Sequence, residues 1–504
     1  MHWERVPLFL WFTGICALAM LPPALLAATD GDFEAGRPFL YGAVLLCSVT
    51  FMIALAMNNR PSAMPAREQL LALLGAFTVL PAILAWPLME AAPGLAWLDA
   101  WLEMVSAATT TGMTMEPAPL AWSRAVHLWR AEIGWLGGLL IWVAAIAILA
   151  PLRIGGFELI LPRNREIRRE VQWMGQRAMT PQQRILRATA TLGWVYAGLT
   201  FALWILLMVV GEMPFIALCH AMAVLSTSGI SPVGGLTGGQ AGIPGELVIF
   251  AFLIFAVSRR SFSRDLPALG NRWIWQEPEV MVAAGCVALV TMVLFMRHWY
   301  VLFETAESFG IGLIPRAVWG AVFTSASFLT TTGFVSEQWE IARLWSGLST
   351  PGMVLMGLAL IGGGVATSAG GVKLLRIYVL YKHGQHEISR LIHPSTVGGV
   401  GSRQRLFGRE AAFIAWLFFM VTALSIAFVS MVLSLVGHSF ETATVLTLAA
   451  ISNTGQLTQV AVMPAIVPAS LSPATKLVLA AAMALGRLET LAIIALLNPN
   501  FWRR

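Results

Sequence analysis

The sequence predicts an all-α polytopic membrane protein. Four pseudo-repeated helix–pore-helix–filter–helix units are expected around a central pore, plus two extra N-terminal transmembrane helices. Three observations carry that expectation. Of the 504 residues, 58% are hydrophobic and 12% charged, whereas soluble domains carry about 25% charged residues. Apolar runs of the roughly 20 residues needed to cross a bilayer recur along the chain. They lie near 6–28, 38–57, 68–92, 122–150, 188–211, 244–258, 279–303, 346–381, 411–436 and 474–496, with the sixth short and the eighth interrupted. Finally, four Ser/Thr/Asn runs end in glycine: Thr109-Thr110-Thr111-Gly112, Ser226-Thr227-Ser228-Gly229, Thr330-Thr331-Thr332-Gly333 and Ser452-Asn453-Thr454-Gly455. A polar, glycine-punctuated backbone at membrane depth is tolerated only where it lines a water-filled or protein-lined cavity. Four such segments can close a ring of carbonyl oxygens that replaces an ion's water shell. The pattern points to a cation pathway.

Residues 1–60 read as the added N-terminal helix pair. Arg5 precedes the first run, and Leu26-Ala27-Ala28 resembles a cleavage site. The run nevertheless exceeds the roughly 7–15 apolar residues of a signal peptide, so it reads as a retained span. The four repeats follow at 61–170, 171–275, 276–400 (interrupted at 362–373) and 401–504. Each runs in the same order: apolar span, short helical stretch, glycine-ended turn, apolar span, basic connection. The marker glycines Gly112, Gly229, Gly333 and Gly455 are 117, 104 and 122 residues apart, far too long a period for a solenoid. The short stretches are Leu98–Ala108, Pro214–Leu225, Pro315–Leu329 and Phe440–Ile451. At 11 to 15 residues they are too short to cross the bilayer and suit re-entrant pore helices. Each would aim its partially negative C-terminal end at a cation.

Charge orients the chain. The 153–187 connection carries eight arginines, and Arg259, Arg260, Arg264 and Arg272 mark the next basic connection. Lys373, Arg376, Lys382, Arg390, Arg403, Arg405 and Arg409 mark a third, and the chain ends Arg503-Arg504. Connections 213–245 and 437–472 contain no Lys or Arg. By the positive-inside rule the basic set and both termini are cytoplasmic, and the glycine-ended turns lie on the outer side. The pI near 9.5 is thus topogenic and needs no nucleic-acid partner. Cys16, Cys47, Cys219 and Cys286 are scattered without metal or redox spacing, so they read as packing residues. His383, His386 and Glu387 fit neither zincin pattern and read as solvated loop residues.

Carbonyls of consecutive residues face one axis only if the backbone passes through left-handed conformations. Glycine adopts these at little cost, while a Cβ costs roughly 1–2 kcal/mol there. Hydroxyls of Thr110, Thr111, Thr227, Ser228, Thr331, Thr332 and Thr454 would supplement the carbonyls or hold the turns from behind. Gly362-Gly363-Gly364 through Gly370-Gly371-Val372-Lys373 is no phosphate loop, because Lys373 is flanked by Val372 and Leu374. Ala366 stands where a nucleophile elbow around Ser368 needs glycine. The stretch reads instead as an unwound segment in mid-helix, able to block or clear a pore. Arg487 falls about 20 Å into the last span at 1.5 Å per residue, and an arginine at such depth usually faces a cavity. A structural pairing with Glu489 is the alternative.

With these residues in hand, the whole chain resembles the TrkH/KtrB family of bacterial potassium transporters, related to plant and fungal HKT and Trk proteins, and closest to the TrkH branch. Asp99–Thr114, with Thr109-Thr110-Thr111-Gly112-Met113-Thr114, resembles the family's first filter, Trp135-Leu136-Gly137-Gly138 its following helix, and Thr330–Phe334 its third filter. Gly362–Lys373 resembles the interruption of its third inner helix. Leu485–Glu489 and Asn498–Arg503 resemble its C-terminal signature. The chain departs at Ser228, where the family often has glycine, at Gln456, where proline is common, and at Val365-Ala366-Thr367.

The resemblance implies potassium uptake across the bacterial inner membrane, with potassium as the transported ion and no organic cofactor. Potassium would be held by Thr110, Thr111, Gly112, Thr227, Ser228, Gly229, Thr331, Thr332, Gly333, Asn453, Thr454 and Gly455. Gly362, Gly363, Gly364, Gly370, Gly371, Lys373 and Arg487 would gate the pore. A homodimer in the lipid bilayer is implied, seated on a cytoplasmic nucleotide-binding regulator of the TrkA/KtrA type. Two other readings compete. One is a weakly selective or sodium-permeable cation channel. The other is a membrane-embedded enzyme, which would need paired intramembrane acids or a His/Glu metal set that the spans scarcely offer.

Overall fold

The computed structural model describes residues 7–57, 65–116, 121–149, 181–258, 274–305, 313–348, 350–393 and 409–488. Among these the regular elements are helices, and seven apolar segments are long enough to cross a bilayer. The protein is a multi-pass membrane protein.

The first expected span is two helices, α1 (Leu8–Leu18) and α2 (Leu21–Asp30), followed by α3 (Phe33–Met57). Pro22 and Pro23 lie in the first turn of α2, where a missing N–H is tolerated but a preceding helix cannot continue. That is why the run at 6–28 breaks. Repeat 1 comprises α4 (Pro65–Ala91), the pore helix α5 (Trp97–Ala108) and α6 (Arg124–Ala144), which ends in a π-turn. Repeat 2 comprises α7 (Pro181–Val209), pore helix α8 (Pro214–Ser226) and α9 (Gly242–Phe252). Repeat 3 comprises α10 (Pro278–Thr305), pore helix α11 (Ile314–Leu329), α12 (Trp339–Ser346), α13 (Gly352–Ile361) and α14 (Leu374–Ile392). Repeat 4 comprises α15 (Arg409–Leu435), pore helix α16 (Phe440–Ile451), the single turn α17 (Leu457–Val460) and α18 (Pro473–Arg487).

Among the described residues, two of the ten expected spans fall below the spanning length, and the last is described only in part. Helix α9 is short and tightens into a 3₁₀ turn, the eighth span is split into α13 and α14, and α18 reaches the edge of the described residues at Leu488. His383, His386 and Glu387 were expected in a loop; they lie on α14, which extends as a continuous helix to Ile392, and the His383–Glu387 pair is 4.0 Å apart. Helix α12 was not anticipated: its eight residues are too few for a span, and they follow the third turn. The expected boundaries at 60, 170 and 400 lie outside the described residues, and the one at 275 falls in the 3₁₀ turn Ile274–Gln276.

The repeats interlock cyclically. Each post-turn helix packs on its own repeat's pore helix and on the pore helix of the next: α6 on α8, α9 on α11, α13 on α16, and α18 back on α5. One apolar core joins the N-terminal helices to repeats 1 and 2, and a second joins repeats 3 and 4. The four glycine-ended turns meet where these cores adjoin, and all sixteen of their residues are buried or nearly so.

Candidate ion pathway

The four turns are built alike by the helix ends that precede them. After α5, Thr110 N–H donates to the Ala107 carbonyl and Thr111 N–H to the Ser106 carbonyl, both at 2.8–2.9 Å. The same pair of bonds recurs from Thr227 and Ser228, from Thr331 and Thr332, and from Asn453 and Thr454. This is the Schellman arrangement, which needs a left-handed residue just past the helix. That residue is Thr110, Thr227, Thr331 or Asn453, with φ of 55°, 55°, 57° and 53°. Glycine was expected to carry the left-handed conformation; it does so two residues later at Gly112, Gly229 and Gly333, but Gly455 has no positive φ. The three threonines are therefore the strained positions, at roughly 1–2 kcal/mol each. Backbone strain of this kind persists only where surrounding structure enforces it.

Hydroxyls brace the turns from behind. Thr111 Oγ1 meets Thr109 Oγ1 at 2.8 Å, Ser228 Oγ accepts from Ser226 Oγ at 2.9 Å, and Thr332 Oγ1 meets Thr330 Oγ1 at 3.1 Å. The hydroxyls of Thr109, Ser226 and Thr330 also reach carbonyls of their own pore helices, at Val105, Met222 and Ala326. Thr454 is held more loosely, 3.4 Å from the Ser452 carbonyl.

Neighbouring turns touch in ring order. A Cβ on Gly112 would overlap the Ser228 carbonyl oxygen, and one on Gly229 would overlap that of Thr332. A Cβ on Gly333 would overlap the Gln456 carboxamide, and one on Gly455 the Met113 backbone. The ring closes through Gly455 N–H, which donates to the Thr111 carbonyl at 2.7 Å. Asn453 Nδ2 adds bonds to Thr111 Oγ1 and to the Met483 carbonyl of α18, each 3.0 Å. Gly455 is required for close approach rather than for a left-handed backbone.

Directly beneath this ring lies the 362–373 segment. It leaves α13 at Gly362 (φ 75°) and rejoins helix after Lys373 (φ 82°). Gly370 N–H donates to Thr331 Oγ1 at 2.7 Å, and Ser368 Oγ to the Leu225 carbonyl at 3.0 Å. A Cβ on Gly370 would overlap the Ser452 carbonyl, so the segment abuts turns 2, 3 and 4. Gly363 and Gly364 lie against the Ala256 and Val257 carbonyls, and Gly371 (φ 76°) against the Gly362 backbone. Arg487 Nη1 donates to the Ser368 carbonyl at 2.6 Å, and Lys373 Nζ to that of Ala369. Two buried cations therefore grip adjacent carbonyls of one loop. Glu489, the alternative partner considered for Arg487, lies outside the described residues.

Acids tie down the segments that follow turns 1, 2 and 3. Glu103 of α5 accepts from Met115 N–H at 2.7 Å and pairs with Arg130 of α6 at 2.6 Å, both side chains buried. Glu246 of α9 accepts from Trp319 Nε1, Ser336 Oγ and Glu337 N–H at 2.6–2.7 Å. Glu212 accepts from Gln240 N–H at 3.2 Å. Partial burial, then the neighbouring Glu246 and Glu212, raises the Glu337 carboxyl above the usual carboxylate range. Sequence reasoning did not single out these acids; an isolated glutamate such as Glu246 amid an apolar run was the available signal. Removing one member of a buried pair leaves the other charge uncompensated, a loss of about 3–5 kcal/mol. Arg130→Ala is thus expected to lower the thermal unfolding temperature of the purified protein sharply, whereas Arg130→Met combined with Glu103→Gln restores much of it. Equal unfolding temperatures for Arg130→Ala and the parent would remove the pair from the framework of turn 1.

No group of three His, Cys, Asp or Glu suited to a metal ion occurs among the described residues. The oxygens gathered by the four turns are carbonyls and hydroxyls, hard neutral oxygens of the kind suited to a dehydrated alkali cation.

Comparison with known proteins agrees with this geometry. A family model described as TrkH, cation transport protein, matches residues 259–503. The Trk system potassium uptake protein TrkH of Escherichia coli K12 is 28% identical over 410 residues, 80% of each chain. TrkI of Halomonas elongata is 27% identical over 502 residues, covering 99% of this chain and 96% of that protein. The crystal structure of the potassium transporter TrkH from Vibrio parahaemolyticus superposes over 100% of both chains, with a TM-score of 0.79 and 26% identity. With a four-repeat ring of helix-capped turns, a family model matching residues 259–503 and relatives aligned over 80% or more of their length, the chain is similar in sequence and fold to the TrkH cation transport proteins.

Proposed function

We propose that this protein takes up potassium across a bacterial inner membrane through the ring formed by the four glycine-ended turns. The carrying observation is the ring itself: four helix C-termini lead into buried, left-handed turns whose glycines lie against the next segment of the ring, Gly112, Gly229 and Gly455 against backbone and Gly333 against the Gln456 side chain. Backbone oxygens held this way replace water around a potassium ion, and the pore-helix ends add partial negative charge. The relatives' names, potassium uptake proteins of a Trk system, support the same ion. In this reading Thr110 to Gly112, Thr227 to Gly229, Thr331 to Gly333 and Asn453 to Gly455 form the filter. The segment Gly362–Lys373 is the gate, latched by Lys373 and Arg487. The basic connections and both termini face the cytoplasm, and two copies sit on a nucleotide-binding regulatory subunit.

The test is rubidium and sodium flux into liposomes holding the purified protein alone. Saturable rubidium flux suppressed by potassium supports the proposal; equal rubidium and sodium flux favours the weakly selective channel. The latter reading has one observation behind it, the ordinary φ of Gly455, which makes turn 4 unlike the others. Absence of flux of either ion, with regulatory subunit added, would overturn both.

The gate carries its own expectation. Gly371 sits at φ 76° against the Gly362 backbone, so Gly371→Ala strains the loop without touching a filter residue. Flux per molecule is expected to change several-fold, with the rubidium-to-sodium ratio unchanged. A changed ratio at constant flux would assign the segment to the filter.

A further inference from the structure

Gln456 follows the fourth marker glycine, and its side chain turns into the ring. Its Nε2 donates to the Ser228 carbonyl at 3.0 Å and, more weakly, to the Gly112 carbonyl at 3.4 Å. A Cβ on Gly112 or Gly229 would crowd this same nitrogen, and one on Gly333 would overlap Oε1. One carboxamide thus contacts the marker glycines of the three other turns. Its Oε1 is buried and has no hydrogen-bond donor among the described residues. The side chain is not steered there by its own helix: Gln456 caps the single turn α17 with no side-chain bond to it.

The carbonyl lone pairs that accept an N–H are those that would coordinate a cation. An amide proton and a potassium ion therefore exclude each other at one ring level. We propose that the Gln456 carboxamide is a tethered competitor for the outermost ion site. It occupies the ring as a neutral stand-in, and it must swing outward for potassium to bind at Ser228 and Gly112. Once displaced, its Oε1 faces the ion's path with a free acceptor. A group tethered by three bonds competes at high effective concentration, so the residue raises the potassium concentration at which the pathway fills. This inference rests on the proposed filter, and its test separates the two.

The experiment compares the purified full-length parent with Gln456→Ala and with Gln456→Met, which keeps the length of the side chain, adds no charge and lacks the N–H donors. Two quantities are read: potassium-dependent thermal stabilisation, which reports equilibrium binding, and rubidium flux into liposomes against external rubidium. Losing one to two hydrogen bonds of ordinary net strength should lower the half-saturating concentration roughly tenfold in both variants and both assays. If potassium stabilises parent and variants with the same midpoint, Gln456 is a packing residue and the inference falls while the filter stands. If potassium stabilises none of them and rubidium flux is absent, the filter assignment falls and takes the inference with it. Should the alanine variant fold poorly, the methionine variant decides.

Discussion

Gly112→Ser is expected to reduce potassium-over-sodium discrimination at least tenfold, measured as the rubidium-to-sodium flux ratio in liposomes. Gly112 has φ +70°, and any Cβ there would overlap the Ser228 carbonyl oxygen of the next turn. Both effects push the same way. A left-handed residue with a Cβ loses roughly 1–2 kcal/mol, and the carbonyl it strikes must rotate off the axis. A difference of about 1.4 kcal/mol between two ions is a factor of ten. Gly455→Ser provides the contrast, because its obstruction is the Met113 backbone rather than a ring carbonyl and its φ is ordinary. Its effect should fall on stability and expression first. A Gly112→Ser protein of normal yield and unaltered flux ratio would remove the turns from the selectivity mechanism.

Arg487→Ala is expected to raise flux per molecule about tenfold while leaving the ratio intact. The guanidinium lies beneath the ring at the end of α18, bonded to the Ser368 carbonyl at 2.6 Å. A hydrogen bond to a charged donor contributes about 1.5–3 kcal/mol, and under the proposed gating that much less latching favours release of the loop by at least a factor of ten. Removing the charge also lowers the repulsion met by a cation, which strengthens as the local dielectric falls. Lys373 still holds the Ala369 carbonyl, so the loop is loosened rather than lost. Arg487→Gln keeps a donor without the charge and should give an intermediate flux. Parent-like flux from both variants would make Arg487 a framework residue.

Features set by local sequence were legible before the coordinates were. The pore helices begin and end within one residue of the stretches marked by apolar runs and glycine, as Phe440–Ile451 and Trp97–Ala108 illustrate. The break in the third inner helix starts at Gly362 and ends at Lys373 because no helix propagates through five glycines in ten residues without tertiary support. Features set by contacts between distant segments were not legible. Which residue of each turn goes left-handed is decided by the helix-end hydrogen bonds, so β-branched threonine takes a conformation that its own preferences disfavour. Gln456 could be noted only as unusual, since its meaning depends on three turns that lie 123 or more residues upstream. Glu103 and Arg130, 27 residues apart, and Glu246 with Ser336, 90 apart, are likewise invisible to periodicity.

The closing bonds of the ring have a consequence for biogenesis. Asn453 and Gly455 bind Thr111, and the Asn453 bond joins residues 342 positions apart. At a translation rate of roughly 5–20 residues per second, turn 1 emerges from the ribosome about 20–70 s before its last neighbour. Each turn is already shaped by its own helix-end bonds, so nothing need be remodelled when the fourth arrives. Closure over so long a loop adds little further entropy, because that penalty grows only logarithmically with length. The waiting interval instead leaves a polar, half-built concavity among apolar helices. Until Asn453 and Gly455 reach Thr111 the ring stays open, so a chain that ends before residue 455 lacks the bonds that close it.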